Sequence, residues 1–343
     1  SEKYPVSVED DNFILNSTVL PERQICSIIR QLHQNEALLK EGELIAARLD
    51  ERQFEKLMKD EDIEELQGYE LDQTELTKLE TITDLFRLND IALRSDFDLV
   101  TGGRISEPLT TSNLVSGTEQ IFVEEGAEVE CAVINASTGP VYIGKNAKIL
   151  EGAMLRGPIA LCEHSVIKMG AKIYGASTFG PHTKVGGEVS NSVILGYSNK
   201  GHEGYLGNSI LGEWCNLGAD TNVSNLKNNY STIKRWDYEA EDFIQTDLQF
   251  CGLVMGDHSK AGINTMFNTG TVVGVCANIY GGGFPPKFIP SFAWGGSGGF
   301  QTHDLEKAFQ TAERVMARRN KEFTTEERLL LIKIAEESAK FRT

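Results

Sequence analysis

The sequence predicts a chain in two parts: α/β material over residues 1–100, then a solenoid of short strands over 115–285, finished by two helices. Three observations predict this. Bulky apolar residues recur every six positions from Ile143 through Ile149, Leu155, Leu161, Ile167, Ile173, Phe179 and Val185. Four places after each stand Ala147, Ala153, Ile159, Ser165, Ala171, Ser177, Thr183 and Val189, all small or Val except Ile159. The first hundred residues carry no such beat. A helix repeats every ~3.6 residues and a flat sheet every ~2, so neither explains a period of six. Each hexapeptide reads instead as one side of a triangular coil, three to a turn. The large residue fills the interior, the small one sits where the chain turns a corner, and stacked coils bury a continuous core.

Taken in order, "SVEDDNFILNSTVLP" reads as strand and turn, "ERQICSIIRQLHQNEALLK" as a helix from its apolar spacing, and "GELIAARL" as a strand. The acidic run "ERQFEKLMKDEDIEELQGYELDQTELTKLE" reads as a helix and then a variable excursion, and "TDLFRLNDIALRSDFDLV" as helix. The segment 101–114, "TGGRISEPLTTSN", clusters Gly, Ser, Thr and Pro and reads as a linker. Residues 286–343 open as a Gly/Pro-rich aromatic wrap lying on the coils. They continue as two helices that cap the solenoid or pack on a neighbouring chain, the second opened by a capping box of Thr324 and Glu327.

Composition excludes several classes. The net charge of −17 over 343 residues argues against a nucleic-acid or anionic-membrane binder, because phosphate contacts need a basic face. No stretch approaches the ~20 apolar residues of a membrane span, and "SEKYPVSVEDDNF" has no apolar core of a signal peptide. The six cysteines form no C-x-x-C pair and read as reduced core thiols of a cytoplasmic protein. There is neither a G-x-G-x-x-G nor a P-loop.

The beat fails between about Asn191 and Leu211, and again between Ser224 and Phe250. Insertions in a solenoid map to loops, often on the binding face. The first interruption carries Lys200, His202, Glu203 and Tyr205, and is expected to lift His202 off the coil wall towards a cleft. His164 and His182 lie 18 residues apart, one coil, and read as a stacked surface pair rather than metal ligands. Lys287 reads as a solvated lysine, and Asn89 as a helix cap or surface residue ahead of a metal-holding asparagine.

The stretch "SNKGHEGYLGNSILGEWCNLGADTNVSNL" is similar to the acetyltransferase motif of a bifunctional bacterial family. Its members join glucosamine-1-phosphate N-acetyltransferase to N-acetylglucosamine-1-phosphate uridyltransferase. The family pattern is K-x-x-H-x-x-Y-L-G-D, then N-I-G-A-G-T and a further asparagine. Here the lysine stands two places before the histidine, Asn208 replaces the aspartate, and Ser190 replaces a phosphate-binding lysine. The chain looks like the divergent form of Bacteroidetes-type bacteria. The resemblance implies a left-handed parallel β-helix of hexapeptide repeats, following a nucleotidyltransferase-like α/β part. Its Gly-rich L-x-x-G-x-G-T-R loop is not among these residues, so the chain reads as beginning about fifty residues into that domain.

Carried over position by position, the resemblance implies His202 as catalytic base and Glu188 as its supporting carboxylate. It implies Lys172, Tyr205, Asn216 and Asn225 as sugar-phosphate contacts, with Lys227 or Lys234 as a loop lysine on the phosphate. Ala219, Ile263 and Gly281 fall where the family lines its acetyl-CoA groove. It also implies a homotrimer with sites between neighbouring solenoids, and Mg2+ only for an active nucleotidyltransferase half. The chemistry fits these residue types. A neutral amine must attack a thioester, and an imidazole with a pKa near ~6.5 can take its proton. Backbone N–H groups on a rigid coil can face the developing oxyanion. The expected function is thus acetyl transfer to glucosamine 1-phosphate. The alternatives are a sugar-1-phosphate nucleotidyltransferase whose β-helix serves trimer assembly, and a non-catalytic trimeric scaffold.

Overall fold

A computed structural model describes residues 7–342 apart from 60, 64 and 73. Residues 1–6, part of the segment read as lacking a signal-peptide core, lie outside the described residues. The chain divides into two compact units, 1–82 and 83–343. The helical segment after Ile82 falls in the second unit, where it packs on the coils.

In the first unit, helices α1 (Arg23–Ile29) and α2 (Glu51–Met58) accompany a four-stranded sheet. Its strand order is Asn12–Leu15, Glu43–Leu49, Glu36–Lys40, Gln67–Glu70, antiparallel except for the last pair. Asp50 and Gln53 close a capping box on α2. The helix expected across 22–40 ends at Ile29. Asn35 turns the chain at φ 70°, and Glu36–Lys40 becomes a central strand with Ala37 and Leu38 buried. Apolar spacing in a short segment does not separate helix from strand.

In the second unit α3 (Asp84–Arg87) and α4 (Asn89–Thr101) lead into a left-handed parallel β-helix. Its first face stacks six strands from Leu114–Ser116 to Tyr205–Gly207. The second stacks nine from Ile121–Val123 to Phe288–Ile289, and the third nine parallel strands from Glu128–Val129 to Ala293–Gly296. All eight large residues from Ile143 to Val185 point inward and are buried, and so are the eight residues four places on. The wrap expected from 286 onward is in part a last coil: Phe288 pairs with Val272, and Trp294 with Asn278. The linker is tied down as well, with Glu107 N–H donating to the Val123 carbonyl and Arg104 bound to Glu124.

Register explains both interruptions. Val166 lies opposite Lys184, a full eighteen residues on. Lys184 then lies opposite Asn199, and Asn199 opposite Asn216, fifteen and seventeen residues on. The expected inserted loop around 191–211 is therefore a shortening of two coils. The second interruption is a true insertion, since Ile210 pairs with Val254. It carries a hairpin, Lys234–Asp237 with Asp242–Gln245, and its Ile233 and Cys251 are buried with Phe86 of α3 and Ile210. Helices α5 (Leu305–Ala317) and α6 (Thr325–Glu337) follow the coils, and Thr324 and Glu327 form the expected capping box. Phe309, Leu331 and Ala335 pack with Cys276 and Phe292 of the last coils.

The six cysteines are all free; Cys215, Cys251 and Cys276 are buried, Cys26 and Cys162 half-buried. Cys131 departs from the expected core role. It is exposed because it sits at a corner, at φ 52°.

Candidate active site

Three features meet around one corner of the solenoid. The corner itself carries His202 on the turn between strands Asn199–Lys200 and Tyr205–Gly207. The Asp220 N–H donates to the Glu203 carbonyl (3.0 Å), and the Asn264 N–H to that of Ala219 (2.8 Å). These ladder bonds set His202, Ala219 and Ile263 on successive coils of that corner, and Gly281 follows Asn278–Ile279 on the next. Ile263 is 69% exposed, so the corner presents an apolar side chain to solvent two coils on from the imidazole. Gly204 completes the His202 turn at φ 113°, where a Cβ would strike the Thr221 carbonyl oxygen.

Lys200 holds this turn from inside. It lies opposite Val185 in the inward register and is 1% exposed. Its ammonium donates to the carbonyls of Gly186 (3.1 Å), His202 and Glu203 (3.2 Å). Burial pushes its pKa down to about 8, partly opposed by Glu203 and Asp220.

On the first face, Lys172, Glu188 and Tyr205 form one outward column, and Tyr174, Ser190 and Gly207 the next. Glu188 accepts a hydrogen bond from the Tyr174 hydroxyl (2.6 Å), and among the described residues it makes none with His202. The same bond, with burial second, pushes the Tyr174 pKa up to about 12, so the phenol keeps its proton. The Tyr205 and Ser190 hydroxyls lie 3.0 Å apart. Asn225 Nδ2 donates to Tyr205 Oη (3.0 Å) and to Asn208 Oδ1 (2.8 Å). Position 207 has room only for glycine, because a Cβ there would meet Tyr205 Oη and, at 2.6 Å, Asn225 Nδ2.

The third feature is a cavity of about 670 Å³ over the third face, which His202 and Asn216 both line. Thus the structure brings His202 together with Asn216, Ala219 and Ile263, and Glu188 together with Lys172, Tyr205 and, through Tyr205, Asn225. The loop lysines stand apart. Lys227 donates to the Thr232 carbonyl (2.6 Å), and Lys227, Lys234 and Lys287 line a separate cavity with Phe243 and Phe288. Lys287 is half-buried rather than solvated, its ammonium 3.1 Å from the Lys234 carbonyl. Asn89 is also not a surface residue. It is buried, donating to the Ala176 carbonyl (2.8 Å) and accepting from Thr178 (2.9 Å). His164 and His182 stack at 4.7 Å between ring centroids, as one coil of spacing requires. Sequence reasoning missed Tyr174, whose signal was its place two residues after Lys172 in the outward register. It also left Lys200 without a role, since lysine at an inward position is the exception.

The alternation of large inward residues with small corner residues is that of the hexapeptide-repeat β-helices. Residues 1–105 match the sugar nucleotidyl transferase family model. The chain is similar to bifunctional GlmU proteins. It is 30% identical to that of Methanocaldococcus jannaschii over 118 residues, 34% of this chain and 26% of the relative. It is 24% identical to that of Synechococcus elongatus over 223 residues, 62% of this chain and 45% of the relative. The chain therefore spans well under two thirds of these relatives. Among solved structures it is similar to the UDP-N-acetylglucosamine acyltransferase LpxA of Bacteroides fragilis, with a TM-score of 0.32, 15% identity, and 67% and 91% of the two chains covered. It is also similar to the polySia specific acetyltransferase NeuO, with a TM-score of 0.31, 13% identity, and 56% and 82% covered.

Proposed function

We propose that the chain transfers an acetyl group from acetyl-CoA to the amine of glucosamine 1-phosphate, giving N-acetylglucosamine 1-phosphate, with His202 as general base. The observation that carries this reading is the corner. It brings His202 into line with Ala219 and Ile263 and beside a cavity that also reaches Asn216. In this reading the free amine of the sugar attacks the thioester carbonyl, the C–N bond forms as the C–S bond breaks, and a ring nitrogen of His202 takes the proton the amine gives up and passes it to the departing CoA thiolate. The thioester lies along the corner against backbone at Ala219. Glu188, Tyr205 and Asn225 form the polar wall for the sugar, and Lys172 offers an exposed cation for its phosphate. Glu188, held by Tyr174, acts here on the substrate rather than on the imidazole. The match of residues 1–105 supports uridylyl transfer as a second activity of the whole protein, with Mg2+ as its metal.

The site is completed by a second copy in a homotrimer. Outward on the first face, Leu114, Val133 and Met154 form an apolar column that is 70%, 39% and 48% exposed, directly below Lys172 and Glu188. Mixing the protein with acetyl-CoA and glucosamine 1-phosphate tests the reading. Free thiol should appear together with the N-acetylated sugar phosphate, identified by mass. Thiol release that is independent of the amino sugar would refute it.

A further inference from the structure

The first face sets a cation and a carboxylate side by side and keeps them apart. Lys172 and Glu188 lie directly opposite one another on successive coils, in one outward column. On the third face Lys148 and Glu128 stand in the same relation, and there the ammonium closes on the carboxylate at 2.8 Å. Lys172 and Glu188 do not close. Among the described residues the Lys172 ammonium and Glu188 Oε2 have no hydrogen bond or ion pair. The difference lies in the next column. Tyr174, two places after Lys172, donates its hydroxyl to Glu188 Oε1 at 2.6 Å. A hydrogen bond to an ionised carboxylate is roughly twice as strong as a neutral one. Water competes for an ion pair that an exposed lysine would make, so that pair is worth less. The phenol therefore wins the carboxylate. It has room to lean across, because Ser190 opposite it and Gly207 beyond are both small. It also holds its proton, since the bond to Glu188 and then burial push its pKa up to about 12. Tyr205, which follows Glu188 in the same column, is turned away, its hydroxyl meeting Ser190 and Asn225. Tyr174 alone thus fixes the Glu188 side chain.

We propose that Tyr174 is a positioning residue that holds Glu188 away from Lys172, so that carboxylate and ammonium both stay open to a ligand with an amine at one end and an anionic group at the other. Glu188 Oε2 accepts an N–H from the amine, and Lys172 meets the anion as a point charge. Without the phenol the two side chains close on one another, as Lys148 and Glu128 do, and both are lost to the ligand together. The step rests on the reading of this face as the wall for an amino sugar phosphate. It adds the device by which that wall prefers an amino sugar phosphate to one with a hydroxyl in place of the amine.

The test is calorimetric titration of the full chain with glucosamine 1-phosphate and, separately, with glucose 1-phosphate. The proteins are wild type, Tyr174→Phe, Lys172→Gln and the double variant Tyr174→Phe/Lys172→Gln, with circular dichroism checking the fold of each. The quantity read is the preference for the amine, the ratio of the two affinities. Wild type should prefer glucosamine 1-phosphate, and Tyr174→Phe should lower that preference about fivefold or more. Lys172→Gln should weaken both ligands and keep the preference. In the double variant the preference should stay within about twofold of that of Lys172→Gln, because Glu188 then has no lysine to close on. A merely structural role for the phenol would lower the preference equally in both backgrounds, and that result overturns the proposal. So does a Tyr174→Phe preference within about twofold of wild type, or a wild type that binds neither ligand or both alike. The acetyl-transfer reading fails separately. A preference that depends on Tyr174, without acetyl turnover, keeps the positioning role and removes that reading, whereas turnover with Tyr174→Phe equal to wild type in kcat and KM does the reverse.

Discussion

At the scale of single residues, Lys200 is the most informative side chain. It takes the inward place that Val185 fills on the coil below, and it meets three carbonyls of the turns that form the His202 corner. A buried ammonium is tolerated only where its donors are used. Replacing it with methionine keeps the volume and removes the donors. Lys200→Met should therefore fold, since the lost hydrogen bonds and the relieved desolvation oppose one another, but turnover should fall as the His202 turn loosens. The sign of the pH effect follows from the lowered pKa. Between about 8 and the ordinary value of 10.5 the unfolded chain holds a proton that the folded chain has lost. Wild-type stability relative to Lys200→Met should then rise with pH across that window, by up to ~3 kcal/mol. Below pH 8 both states are protonated and the difference should be flat. Urea titrations of the two proteins at pH 7, 9 and 10.5 check this; a difference independent of pH would contradict the assigned burial.

At the scale of elements, what was legible in the sequence depended on how many positions repeated a pattern. The coils from Ile143 to Val185 were readable because fifteen of sixteen positions in two registers agree. Residues 36–40 were misread because five residues of strand carry too short a pattern to outweigh the helical spacing before them. The shortened coils near 191–211 look like an insertion in sequence, since a missing residue and an added one both break the beat; only strand register separates them. Asn89 shows a polar residue whose role is invisible locally. It fixes α4 to the coil through Ala176 and Thr178, 87 and 89 residues away. Asn89→Ala leaves the Ala176 carbonyl and the Thr178 hydroxyl without this partner and should lower unfolding free energy by ~1–3 kcal/mol. A denaturant midpoint equal to wild type would show that α4 is held by its apolar contacts alone.

At the scale of the whole molecule, the solenoid supplies both the rigid wall and the side chains of the candidate site. The candidate site spans the corner, the first face and the cavity over the third face, so its residues come from coils far apart in sequence. That is why the motif residues around His202 could be named from a resemblance, while the Tyr174–Glu188 pair needed the fold. The exposed column of Leu114, Val133 and Met154 predicts association through the first face. Light scattering should give a trimer for wild type, and Val133→Glu should shift it towards monomer and lose activity with it. A fully active wild-type monomer would remove the shared-site part of the account.

The most direct test of the central claim is the turnover of His202→Ala with acetyl-CoA and glucosamine 1-phosphate, measured as kcat/KM beside wild type. His202 is exposed and makes no hydrogen bond through its ring among the described residues, so the variant should fold as wild type does. If the corner histidine is the general base, kcat/KM should drop on the order of 10²–10⁴-fold. A variant that keeps wild-type turnover would contradict the assignment of the corner as the catalytic site.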